Sequence, residues 1–131
     1  MDKTAYKEIF ENSIYEIFLD NAKKYLKPGY ATPWLSQYNS WAYITAYNPH
    51  PQVLTEKENI SRNEKLLQDI KEKGFKYFPG QSYEPGSKSW LEKGYLILDM
   101  DFDTAKKLAC KYGQLAFLYG ERDKKTRLVF L

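Results

Sequence analysis

A chain of 131 residues with 43% hydrophobic and 28% charged residues has the balance of one globular domain, not of a disordered segment, and is long enough to bury one core. Its formal charge of +3 is small and Lys and Glu are interspersed, so there is no basic arm of the kind that grips nucleic acid, and no run reaches the ~20 apolar residues of a membrane span. One Cys and one His leave almost no raw material for a disulfide, a zinc site or a catalytic triad.

The first residues begin acidic and lack the apolar core of a signal peptide, and the lone thiol suits a reducing compartment, so a cytoplasmic location is expected. Residues 3–26 carry Tyr6, Ile9, Phe10, Ile14, Ile17, Phe18, Ala22 and Tyr25 at helical spacing, which predicts one long N-terminal helix stopped by Pro28 and Gly29. Residues 28–40 form an aromatic, turn-rich connection in which Trp34 is either a plug over the core or part of a pocket rim. Residues 41–47 predict a strand with Trp41, Tyr43, Thr45 and Tyr47 on one face and the small residues Ala42, Ile44 and Ala46 on the other, against a helix.

After Asn48 and the prolines around His50, Thr55 and Glu58 have capping-box spacing, which predicts a helix over 56–73 ended by Gly74. A short strand follows over 75–78, a loop over 79–89, and a second aromatic strand over 90–98. Asp101 or Asp103 caps a short helix with the stripe Phe102, Ala105, Leu108 and Ala109; Cys110 reads as buried filler beside it. Strands over 114–119 and 127–131 around a polar turn predict a C-terminal hairpin. The order suggests an α+β fold: a ferredoxin-like (split βαβ) sandwich with an extra N-terminal helix and a C-terminal β-hairpin. All 131 residues are expected in one domain, with 1–40 the helix and connection and 41–131 the α+β core.

Polar residues concentrate in one stretch, residues 45–63. Leu66, Leu67 and Ile70 must face the core, and stepping back along that stripe reaches Asn63 and Asn59, with Arg62 on its flank. Thr45 and Asn48 leave the preceding strand near the helix N-terminus, where unpaired amides and the positive end of the dipole collect. A guanidinium there suits an anion. The bland alternative is structural: Asn59 and Asn63 bond loop backbone and hold residues 48–54, and Arg62 pairs with Glu58. Trp90 is a stacking platform or a core anchor, and Gln114 faces the site or caps a helix. His50 lacks a fixed acid partner and reads as an exposed loop residue.

Two further patterns fail on inspection. Asp99, Asp101 and Asp103 resemble the start of a calcium loop, but Thr104 and Cys110 stand where Gly and Glu are needed, so acids at a helix start explain them better. Residues 80–89 resemble a phosphate loop, but the glycines are one residue too far apart, Ser87 follows Gly86, and a strand rather than a helix comes next.

Asn48-Pro49, Thr55-x-x-Glu58-Asn59, Arg62-Asn63, Gly80, Trp90-x-Glu92 and Gly113-Gln114 together resemble the pattern of an uncharacterised bacterial family of the domain-of-unknown-function class, over about residues 41–119. The resemblance implies no activity, but it implies that the polar set belongs together. The expectation is a small soluble binding domain for an anionic or nucleotide-like ligand, held by Thr45, Asn48, Asn59, Arg62, Asn63, Trp90 and Gln114, without catalytic residues, metal or cofactor. The alternative is a protein-interaction module, such as a phage or mobile-element inhibitor of a host defence protein, with the Tyr-rich surface and first helix making the contact.

Overall fold

The structure, a computed structural model, describes residues 3–86 and 90–131. It is α+β. The helices are α1 (Lys3–Asn12), α2 (Glu56–Glu72) and α3 (Phe102–Lys111). The strands are β1 (Ile14–Phe18), β2 (Lys23–Leu26), β3 (Ser40–Thr45), β4 (Tyr77–Tyr83), β5 (Glu92–Leu98), β6 (Ala116–Glu121) and β7 (Arg127–Phe130). All join one sheet in the order β2-β1-β4-β5-β3-β6-β7, each pair antiparallel. Within it β5 lies between β3 and β4, the two strands joined through α2, so the βαβ unit is split. The C-terminal hairpin is β6 with β7.

The expected long N-terminal helix is corrected. The helix stops at Asn12, where Ser13 folds back onto the Ile9 carbonyl through both its amide (3.0 Å) and its hydroxyl (2.7 Å). Residues 14–26 instead form the β1–β2 hairpin, turning at Asp20 and Asn21 with the Leu19 amide bonded to the Ala22 carbonyl. Ile14, Ile17, Phe18 and Tyr25 fit a helical period by coincidence; their β-branched and aromatic side chains suit the pleat, and pairing with β4 gives the backbone partners. The β4 strand also runs further than expected, through Pro79 and Gly80 to Tyr83. Pro79 lies just past the last β1 pair, Ile17 with Gly80, so only β5 flanks the strand at the position that has no amide to donate.

Helix α2 follows its sequence signals. The Thr55 hydroxyl accepts from the Glu58 amide (3.2 Å), the Glu58 carboxylate accepts from the Thr55 amide (3.2 Å), and Gly74 takes φ +79° after the last turn. Asp101 caps α3 through the Thr104 amide, and Asp99 accepts from the Asn39 amide, which accounts for the acids of the calcium-like run. Leu66 and Ile70 of α2 and Ala105, Leu108 and Ala109 of α3 pack on Ala42, Ile44, Ala46 and Ile97 of the sheet. Cys110 corrects another expectation: it is exposed, because the buried stripe of α3 passes through 105, 108, 109 and 112 and turns 110 outward.

The other face of the sheet carries Tyr15, Ile17, Leu26, Trp41, Tyr43, Leu96, Leu98 and Leu118, over which Leu35 and Trp34 pack. Trp34 is thus a half-buried plug on this core. Tyr43 lies across two glycines of neighbouring strands. A Cβ at Gly94 would fall 2.8 Å from its hydroxyl, and one at Gly80 would fall 3.0 Å from its ring. Those two positions have room for the Tyr43 side chain because they have none of their own.

Candidate functional site

The polar stripe of α2 is where the sequence placed it, but it faces the backbone. The Asn63 side-chain oxygen accepts from the Ala46 amide (3.3 Å). The Asn59 oxygen accepts from the Asn48 amide (2.8 Å), and its amide group donates to the Asn48 side chain (2.9 Å) and the Leu54 carbonyl (3.4 Å). Arg62 donates through Nε to the Ala46 carbonyl (2.8 Å) and through an Nη to the Tyr112 carbonyl, with its guanidinium 5.8 Å from the Tyr112 ring. Its partner is therefore not Glu58, whose carboxylate closes the capping box. Asn59 and Asn63 are buried. These three side chains fasten the end of β3, the 48–54 loop and the end of α3 together. Tyr47 is buried and donates to Glu56 (2.9 Å).

The open concavity lies on the opposite face. A cavity of about 500 Å³ is walled by Tyr6, Ile9 and Phe10 of α1, the sheet, and the 48–53 loop. Tyr15 of β1 and Leu128 of β7 both line it. Those strands are five places apart in the sheet, about 24 Å if it were flat, so the sheet curls toward this face. Alternation along the strands explains the lining. Tyr43 and Thr45 of β3, Glu92 of β5, Ser82 of β4 and Leu118 of β6 all fall on this face in the observed register.

Four of the seven expected site residues reach this cavity: Thr45, Asn48, Trp90 and Gln114. Asn59, Arg62 and Asn63 do not. Thr45 donates to the Lys93 carbonyl and accepts from the Tyr47 amide (3.1 Å). Gln114 uses its amide group on the carbonyls of Tyr47 (3.0 Å) and Tyr112 (3.3 Å), which points its side-chain oxygen elsewhere. Trp90 sits at the rim, 62% exposed and with φ +56°, so it is not a core anchor. His50 is exposed at the mouth, edge-on to the Tyr6 ring at 5.1 Å. Ser87, Lys88 and Ser89, the end of the phosphate-loop-like run, lie outside the described residues.

Asn48 joins the two faces. Its backbone, at φ +44°, is held by Asn59, and its side-chain amide donates to the Glu92 carboxylate at 2.8 Å. Asn tolerates this left-handed conformation better than most residues. Burial raises the Glu92 carboxyl to about 7, against 4.5 when free, and the Asn48 bond only partly offsets it. Tyr43 is the second residue that the sequence reading passed over. Its hydroxyl is buried and has no hydrogen-bond partner among the described residues, and burial raises its pKa well above the ordinary value. Glu92 was legible as an acid that shares a strand face with Leu96 and Leu98. For Tyr43 and for α1 no such local signal exists.

A model of the family described as "Protein of unknown function (DUF3293)" matches residues 44–117, more than half of the chain. No curated protein and no solved structure matches. The matched span holds α2 with its polar network, β4, β5 and α3, together with Thr45, Asn48, Glu92 and Gln114 of the cavity. The α1 wall lies outside it.

Proposed function

The chain belongs to the DUF3293 family of proteins of unknown function, and we propose that it is a binding domain that takes an apolar, ring-bearing small molecule into the cavity between α1 and the sheet. The observation that carries this reading is the Tyr43 hydroxyl, which belongs to a residue of the cavity wall and is buried with no partner among the described residues. Leaving such a group unpaired costs about 1–3 kcal/mol; the hydroxyl is closed off from the cavity, so a polar atom of a ligand relieves that cost once the Tyr43 side chain turns toward it. The walls are mostly aromatic and aliphatic, with a few convergent polar groups, as in most small-molecule sites. The anionic ligand expected at the α2 N-terminus has less support, because Arg62 is committed to two backbone carbonyls. A cytoplasmic setting follows from the single thiol, as the sequence suggests.

The test is a thermal-shift screen of ring compounds of all three charge classes, with Ala116→Phe as control. Ala116 lines the cavity, so the added ring fills it. The expected result is stabilisation by one class or more in the wild type and none in the variant. No shift with any compound, or equal shifts in the variant, contradicts the reading.

A protein partner is the second reading. Edge strand β2 pairs with a strand on one side only, its Tyr25 carbonyl accepting from Trp34 on the other, and Tyr25 and Tyr30 are 53% and 60% exposed. Stoichiometric co-purification of one partner, lost in a Tyr25→Glu variant, would favour it.

A further inference from the structure

We infer that the cavity selects a primary ammonium carried on an apolar body, with the Glu92 carboxylate and the Gln114 side-chain oxygen accepting from it beside the rings of Tyr15, Tyr43 and Trp90. This rests on the binding reading above and deepens it by naming the class of ligand.

The support comes from asking which polar groups of the wall already have partners. Thr45 has used its hydroxyl as donor and as acceptor. The Asn48 oxygen accepts twice, from the Leu54 amide and from Asn59, and its amide group serves Glu92. The Gln114 amide group is committed to two carbonyls; exchanging its oxygen and nitrogen would set oxygen against oxygen, so the orientation is fixed. Ser13 donates to the Ile9 carbonyl. What remains without a partner among the described residues is one oxygen of Glu92 and the oxygen of Gln114, both acceptors, together with the hydroxyls of Tyr43 and Ser82, which serve either way. Among the described residues the buried part of the wall therefore offers acceptors, while its dedicated donors, the Trp90 indole N–H and the Gln52 amide group, belong to exposed residues of the rim; an ammonium brings three donors and no acceptor.

Charge points the same way. Glu84 and Glu92 belong to the wall, and no Lys or Arg does among the described residues. Neither acid has a salt bridge among those residues. A cation near ring faces gains a further electrostatic attraction, stronger where water is excluded. An anion would face Glu84 and Glu92, and a neutral ring would leave Glu92 with Asn48 as its sole partner among the described residues.

The experiment is calorimetric titration of the full chain with three probes of one shape: 2-phenylethylammonium, 2-phenylethanol and phenylacetate. The expected order is the ammonium at least tenfold tighter than the alcohol, with phenylacetate weakest. Glu92→Gln keeps the shape and an acceptor for the Asn48 amide; it should cost the ammonium tenfold or more and the alcohol far less, and cooperative thermal unfolding shows that the variant is folded. Equal affinity for ammonium and alcohol, tighter phenylacetate, or an unchanged ammonium affinity in Glu92→Gln overturns the inference while the cavity reading stands. If none of the three binds although the ring screen finds Ala116-sensitive compounds, the inference falls alone; if that screen is also silent, both fall.

Discussion

The two faces of the sheet treat polar side chains in opposite ways. On the face covered by α2 and α3, Asn59, Arg62 and Asn63 are each bonded to the backbone of another element. On the curled face, Glu92 keeps one oxygen unbonded and Tyr43 has no partner among the described residues. A buried polar group that is satisfied specifies a structure, whereas one left open beside a cavity marks a place for something else. The contrast separates scaffold from site better than residue type does, since the scaffold carries the residues usually associated with anion binding.

The largest break in this contrast should come from Arg62→Ala. Removing two charge-assisted bonds that hold the Ala46 and Tyr112 carbonyls should cost about 3–4 kcal/mol of stability in urea unfolding, with little effect on ligand affinity measured below the transition. Next is a pH effect on the other face. Glu92 has a raised folded pKa, so the native state keeps a proton that the unfolded chain has released. Its contribution is full below about 4.5 and is lost as pH rises through about 7, a fall of about 3 kcal/mol. Chemical denaturation across that range should show the fall in the wild type and a flatter profile in Glu92→Gln. Asn59→Ala should cost about 2 kcal/mol by the same assay, since it frees the Asn48 amide and leaves the loop side chain unpaired. The smallest effect is the most telling: Tyr43→Phe removes a hydroxyl with no partner among the described residues and should be neutral or stabilising by about 1 kcal/mol, while weakening the ligand.

Much of the helix-covered half was legible. The capping box of Thr55 and Glu58, the stop at Gly74 and the small residues Ala42 and Ala46 under the helices are local patterns with local causes. The resemblance to a family of unknown function agrees with the matched span of residues 44–117. The curled half was less legible because its walls come from distant places. Tyr15 reaches the cavity only through a hairpin that mimics a helical period, and Leu128 only through the curl of the sheet. The structural account fits Asn59, which bonds the backbone of the 48–54 loop, whereas Asn63 bonds the Ala46 amide at the end of β3. What it missed is that the loop they fasten carries Asn48 to Glu92, so the polar stretch bears on the site through one residue.

The most direct measurement is an amide chemical-shift titration of the labelled chain with 2-phenylethylammonium and 2-phenylethanol. The account predicts shifts at Tyr43, Thr45, Glu92 and Gln114, with the side-chain signals of Asn59, Arg62 and Asn63 unmoved. Shifts centred on Arg62 and the first turn of α2, with the curled face silent, would contradict it.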